Sequence, residues 1–197
     1  MKTLIAIPAM DSIFTVTAQC LMNIRPVDAV GTQFAVRMPV DIARNSLAKY
    51  ACEEGFDRVL WLDSDMTFDP DIMERLSADL DEGWDLVCGI FFKRKFPLEP
   101  VIYKGMSADP VTAEQYTDYP QDALFPIAGC GFGGVMMKTD ALAEMDEPPF
   151  DMIPGLSEDF SCCVRLAKNG RKMACDSRVK LGHIGLSVYN EKLYKHP

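Results

Sequence analysis

The chain has 197 residues, 48% of them hydrophobic and 25% charged, which is enough apolar material for one domain with its own core. Its 20 Lys and Arg stand against 29 Asp and Glu, and the formal charge of -9 argues against duplex nucleic acid as a partner, since phosphate binding needs a basic face. No apolar stretch reaches the ~18 residues needed to span a bilayer. The opening MKTLIAIPAMD is too short for the charged and hydrophobic regions of a signal peptide and reads as a first buried strand. Seven Cys without a Cys-x-x-Cys pair read as reduced, buried thiols in a cytoplasmic protein.

Apolar runs alternate with helical patterns along the chain. TLIAIPA (3–9) and QFAVRM (33–38) are predicted strands. From Val40 to Glu54 the residues Ala43, Leu47, Tyr50 and Ala51 share a helical face, with Pro39 before it and Gly55 after it. RVLWLD (58–63) is nearly all apolar, as a strand inside a parallel sheet would be. Asp69-Pro70 opens a helix with Met73, Leu76 and Leu80 on one face, and Gly83 closes it. DLVCGIFF (85–92) is the fourth predicted strand, and this order implies an α/β sheet with ligands at the carboxyl ends of its strands.

Residues 104–128 hold three Pro and no clear periodicity, and are expected to form a long mobile loop. GGVMMK (133–138) reads as another strand. Ser157 is placed to cap a helix that runs to about Asn169, with Phe160, Val164 and Ala167 on its buried side. KMACDSRVKLGHIG (172–185) gives short strands, and residues 187–197, with Tyr189 and Tyr194, read as a tail.

Four features carry chemistry. Asp63-Ser64-Asp65 follows a strand, and paired carboxylates hold hard divalent cations well, although a lone Asp-x-Asp is more often a strand end and turn. Glu158 and Asp159 lie in the first turn of a helix, which suits acids whatever the function and is expected to lower the pKa of Asp159. His183 follows a short strand and can join carboxylates in a metal site. Arg44-Asn45 lies near a helix start, where Arg is either a phosphate partner or part of a solvated face.

The order and spacing of these pieces resemble the glycosyltransferase A fold, in particular the family 2-like glycosyltransferases. LIAIPAMD is similar to that family's first strand and nucleotide loop, and IARNSLAKYACEEGFDRVLWLDSDM to its stretch from an Ala-Arg-Asn helix to the Asp-x-Asp motif. GCGFGGVMMKTDAL resembles the segment lining the acceptor side, and SEDFSCCVRLAKNGRKMACDSRVKLGHIG the Glu-Asp helix, its Gly turn and the following His. The resemblance covers roughly residues 1–186 and implies a single α/β domain with a mostly parallel central sheet. It implies a nucleotide-sugar donor, UDP- or GDP-linked, with an unknown acceptor. It assigns Mn²⁺ or Mg²⁺ to Asp65 and His183, with Asp63 on the metal or the ribose. It places Pro8, Ala9, Met10, Asp11, Arg44, Asn45, Asp63 and Ser64 at the donor, and makes Asp159 the general base with Glu158 as its alternate. The family's acidic residue after the second strand is missing: RMPVD (37–41) offers Arg37 and Asp41.

DSDMT (63–67) also fits the Asp-x-Asp-x-Thr of haloacid dehalogenase-like phosphatases, with Asp63 as nucleophile, but there the motif follows the first core strand. A non-catalytic nucleotide-sugar-binding protein is the other alternative. GCGFGG (129–134) precedes a strand and not a helix, which excludes a dinucleotide fingerprint.

Overall fold

The run Arg58–Leu62 is buried at all five positions, because the main sheet in which it lies is covered on both faces. The structure, a computed structural model, describes residues 1–145, 148–185 and 188–193. β1 (Lys2–Ala9), α1 (Thr15–Met22), β2 (Ala29–Val36), α2 (Val40–Glu53) and β3 (Arg58–Leu62) open the chain. β4 (Met66–Thr67), α3 (Ile72–Asp81) and β5 (Leu86–Ile90) follow, then β6 (Ile102–Ala108), β7 (Val111–Gln115), β8 (Leu124–Pro126), β9 (Gly129–Cys130) and β10 (Gly134–Lys138). Next come α4 (Thr139–Ala143), α5 (Glu158–Lys168), β11 (Met173–Lys180), β12 (Gly182–Ile184) and β13 (Val188–Tyr189).

The main sheet has seven strands in the order β2-β1-β3-β10-β5-β11-β8. β2, β1, β3, β5 and β11 run one way, and β10 and β8 run against them. Side chains alternate between its faces. Val59 and Trp61 join the core under α2, α4 and α5, whereas Leu60 and Leu62 join the core under α3. A one-residue slip of β3 would exchange these sets, so the register is tightly specified. On β10, Gly134 leaves room for Leu181, the residue between β11 and β12, whose side chain a Cβ there would strike. Among the described residues no helix is long and apolar enough to cross a membrane.

Several expectations change. Residues 104–128 are not a structureless loop: β6 and β7 form an antiparallel hairpin, β6 also pairs with β9, and β8 joins the main sheet. The polar, half-exposed hairpin has no apolar alternation to betray it. Tyr50 is exposed, while Ala43, Leu47 and Ala51 bury the α2 face. On α5 the buried side is Ser161, Cys162, Cys163 and Leu166, so the expected face of Phe160, Val164 and Ala167 is rotated toward solvent. α1 has no counterpart in the sequence reading. All seven Cys are free, but Cys52 is exposed. In the predicted tail, Val188–Tyr189 pairs with β12, and Tyr194 lies outside the described residues.

One buried polar pair ties α3 to β11. Asp79 and Asp176 are 4% and 1% exposed and share one cation. Arg178 Nε donates to Asp176 Oδ1 at 2.7 Å and Arg178 Nη2 to Asp79 Oδ1 at 3.2 Å. Burial, a hydrogen bond with Asp176 and its negative charge push the Asp79 carboxyl up to about 7. An unfolded Asp titrates near ~3.9, so between that pH and 7 the folded chain holds a proton that the unfolded chain has lost. This contribution to stability is complete at the acid end and declines as pH rises to about 7. Urea unfolding at pH 5 and pH 7.5 is therefore expected to show Asp79→Asn gaining about 1–3 kcal/mol on the wild type over that interval. An unchanged difference between the two proteins at the two pH values would refute the shared proton.

Candidate functional site

β1 and β3 pair in parallel and end side by side. The chain leaving β1 (Pro8, Ala9, Met10) therefore meets the chain leaving β3 (Asp63, Ser64, Asp65) at one rim, as ligand-binding ends of α/β sheets do. β12 pairs with β4, setting His183 opposite Met66, and the Ile184 N–H donates to the Asp65 carbonyl at 2.8 Å. That short ladder brings His183 from 118 residues away in sequence to Asp65. The first turn of α5 adds Glu158 and Asp159. Together with Arg44, Arg94, Met38, Pro39 and Val40 these residues line a cleft of about 460 Å³.

Arg44 is not on a solvated face. It is 2% exposed, its Nη2 donates to Asp63 Oδ1 at 2.9 Å, and its Nε donates to Glu158 Oε1 at 3.2 Å. The guanidinium carbon lies 5.5 Å from the Phe132 ring centre and 5.9 Å from those of Trp61 and Phe150, within cation-π range. Burial works against the charge, but Asp63, Glu158 and Asp159 outweigh it and raise the pKa above its usual value. Two donor-site expectations fall outside the lining. Asn45 accepts from the Phe150 N–H at 2.9 Å and donates back to the Phe150 carbonyl, which fixes the loop under Arg44. Asp11 accepts from Arg37 Nε at 2.5 Å on the exposed surface, and Arg37 sits at φ 61°, its N–H on the carbonyls of Ala9 and Met10.

Asp65 Oδ2 is the meeting point of the polar groups. His183 Nε2 lies 3.5 Å from it, and Arg94 Nη1 donates to it at 2.7 Å. His183 Nδ1 is 3.0 Å from the Phe92 carbonyl. A carbonyl only accepts, so Nδ1 donates to it and Nε2 is left facing Asp65, a donor to the carboxylate when it carries a proton and a metal ligand when it does not. Burial raises the Asp65 pKa, but the hydrogen bond and charge of His183 and the charge of Arg94 overcome it and hold the carboxylate below its usual value. Among the described residues no group of three or more His, Cys, Asp or Glu side chains is arranged to hold a metal. Asp65 and His183 offer two ligands, which fits an ion that completes its shell with substrate oxygens and water.

Asp159 departs from expectation. Ser157 stands at the N-cap position but makes no capping bond to the backbone; its hydroxyl donates to Asp159 Oδ1. Burial and the adjacent Glu158 charge push Asp159 up to about 6, against the Ser157 bond and Arg44, so burial, helped by a neighbouring carboxylate, overrides the helix N-terminus. A Cβ at Gly131 would lie 3.4 Å from Asp159 Oδ2 and 2.7 Å from Val101, so the Gly-rich segment needs its glycine to pass beside the carboxylate. Arg94 was absent from the sequence reading; its signal was the basic KRK (93–95) just past a strand's carboxyl end. Met38 and Val40 also line the cleft, and as uncharged residues in RMPVD they carry no sequence signal for it.

No protein-family model and no curated protein sequence matches the chain. Among solved structures, A197 from STIV superposes with a TM-score of 0.73 at 20% identity, covering 94% of this chain and 86% of that one. GalNAc-T7, crystallised with UDP, GalNAc and Mn²⁺, superposes with a TM-score of 0.65 at 10% identity, covering 94% of this chain and 44% of that one. This chain therefore spans less than half of GalNAc-T7. The likeness is one of fold: a mixed α/β, glycosyltransferase A-like architecture with a large central sheet.

Removing the buried guanidinium strands Asp63 and Glu158 without their counter-charge. Arg44→Met is expected to cost about 3–5 kcal/mol in denaturant unfolding, and adding Glu158→Gln to recover part of it. Additive losses in the double variant would show that the two side chains are not coupled.

Proposed function

We propose that the protein is a metal-dependent glycosyltransferase that moves a sugar from a nucleoside-diphosphate donor to an acceptor hydroxyl. The observation that carries this reading is the convergence, at the carboxyl ends of β1 and β3, of an Asp-x-Asp turn with an imidazole whose Nε2 faces Asp65. The glycosyltransferase A-like fold supports it. Residues 1–186 form the transferase domain in this reading, and residues 187–197 its C-terminal extension.

Asp65 and His183 would hold Mn²⁺ or Mg²⁺, with Asp63 beside them, and the cation would offset the charge that develops on a diphosphate leaving group. Asp63, oriented by Arg44, and Ser64 face the ribose. Pro8, Ala9, Met10, Met38 and Val40 offer apolar walls to a UDP or GDP base. Asp11 and Asn45 act at one remove, Asp11 at the rim with Arg37 and Asn45 by fixing Phe150. Asp159 takes the acceptor proton: with a pKa of about 6 it is ionised at neutral pH yet more basic than an ordinary carboxylate, as a general base should be. Glu158, held by Arg44, is the positioning residue beside it.

The test is calorimetric titration of UDP and GDP with Mn²⁺ present and with EDTA, repeated on Asp65→Ala. Binding is expected only with the cation and only in the protein that keeps Asp65; equal affinity in all arms would refute the metal-dependent donor site. With a competent donor and acceptor, Asp159→Asn is expected to lower turnover roughly a hundredfold to ten-thousandfold while donor affinity survives. Near-native turnover in that variant would remove Asp159 as the base. Donor binding with neither transfer nor donor hydrolysis in the unmodified protein would identify a nucleotide-sugar-binding protein instead. Phosphate release from p-nitrophenyl phosphate that Asp63→Asn abolishes would identify a phosphatase.

A further inference from the structure

We propose that Arg94 is a latch on Asp65: it neutralises this carboxylate in the free protein, competes with the divalent cation for it, and transfers to the donor's diphosphate once cation and nucleotide are bound. The proposal rests on the donor-site reading above and deepens it.

The argument begins with one oxygen. Asp65 Oδ2 accepts from Arg94 Nη1 at 2.7 Å and faces His183 Nε2 at 3.5 Å. A small divalent cation shared by Asp65 and His183 must occupy the space that this oxygen and this nitrogen bound. It would then approach a guanidinium bonded to the same atom, and like charges at such range repel strongly in a half-buried cleft. Arg94 and the cation are therefore rival counter-ions for one carboxylate.

The surroundings decide which of the two moves. The Arg94 side chain is 49% exposed, against 15% for both Asp65 and His183, so it is the partner that can leave. Its backbone is pinned. The Lys93 N–H donates to the Glu99 carbonyl at 2.9 Å, and Glu99 receives the ammonium groups of Lys93 and Lys95, each at 2.8 Å. Both lysines of the triplet are thus committed to Glu99, and Arg94 is the member of the triplet that lines the cleft. A pinned turn carrying a half-exposed, charged side chain suits a swing of χ angles without loop rearrangement.

The destination follows from charge and shape. Arg44 is committed to Asp63 and Glu158, so it has little charge to spare for a ligand. Arg94, once displaced, is a planar fork of donors on the same cleft, suited to two phosphate oxygens at once. Its second contact, Nη1 to the Ile184 carbonyl at 3.4 Å, is long and weak enough to yield.

The latch makes two predictions of opposite sign. In Arg94→Ala, Mn²⁺ alone, followed by electron paramagnetic resonance, is expected to bind about tenfold more tightly, because its competitor is gone. Inorganic pyrophosphate, titrated with saturating Mn²⁺, is expected to bind about tenfold more weakly, because its fork is gone. Arg94→Lys keeps the charge and loses the fork, so it should restore near-native Mn²⁺ affinity while pyrophosphate stays weakened. Lys49→Ala, which removes an exposed charge paired with Glu53 outside the cleft lining, should leave both affinities unchanged. Unchanged Mn²⁺ affinity in Arg94→Ala, or weakening of both ligands together, overturns the latch and leaves the donor site standing. Lys49→Ala reproducing both shifts would reduce the effect to net charge and also overturn it. Failure of the unmodified protein to bind pyrophosphate with Mn²⁺ overturns the donor-site reading, and the latch with it.

Discussion

A single buried guanidinium organises the site. Arg44 comes from α2, Asp63 from the end of β3, the next element, and Glu158 from the first turn of α5, far along the chain from both. The ion pairs draw all three together over Trp61, Phe132 and Phe150, so the apolar core and the polar cleft share one boundary. Desolvating an arginine is costly unless its charge and geometry are matched. Here two carboxylates and three ring faces offset the charge, although Nη1 has no acceptor among the described residues, and the consequence is that Asp63 and the N-terminus of α5 have fixed positions. Everything that faces the cleft is referenced to that frame.

The cleft holds an excess of negative charge. Asp63, Asp65, Glu158 and Asp159 face it, against Arg44 and Arg94. The two cations divide the acids unequally. Arg44 serves Asp63 and Glu158, Arg94 serves Asp65, and Asp159 has mainly the Ser157 hydroxyl and a neighbouring N–H. The pKa directions follow from this division: Asp65 is held low and Asp159 is pushed up to about 6. One acid is thereby prepared to coordinate and the other to accept a proton, although both are aspartates in the same 460 Å³ space.

The overall charge of -9 and the polar chemistry of the cleft are compatible for the same reason. An acidic protein repels a diphosphate only where no local cation intervenes. In the proposed reading the bound ion and Arg94 supply that local charge, so the surface can remain acidic.

Much of this was legible from periodicity and spacing. β1, β3, β5 and β10 announce themselves as apolar runs, because a strand covered on both faces has no polar alternation to hide it. α2 and α3 show helical spacing with Pro before them and Gly after. The Asp-x-Asp turn and the acidic start of α5 were visible as types and positions. The sequence by itself thus determined the layered α/β class, the strands whose ends build a site, and the carboxylates available to it. Tertiary structure alone decided what each polar group does. It buried Arg44 and turned a surface charge into a frame; it rotated α5 so that Glu158 faced Arg44; it raised Asp159 by burial beside Glu158 where helix position predicted the reverse; and it set Arg94 on Asp65. It also folded residues 104–128 into strands with little apolar pattern of their own. The reason is common to all of these: hydrophobic period is a local property that each segment carries, whereas burial, charge partners and edge pairing depend on segments that meet only after folding.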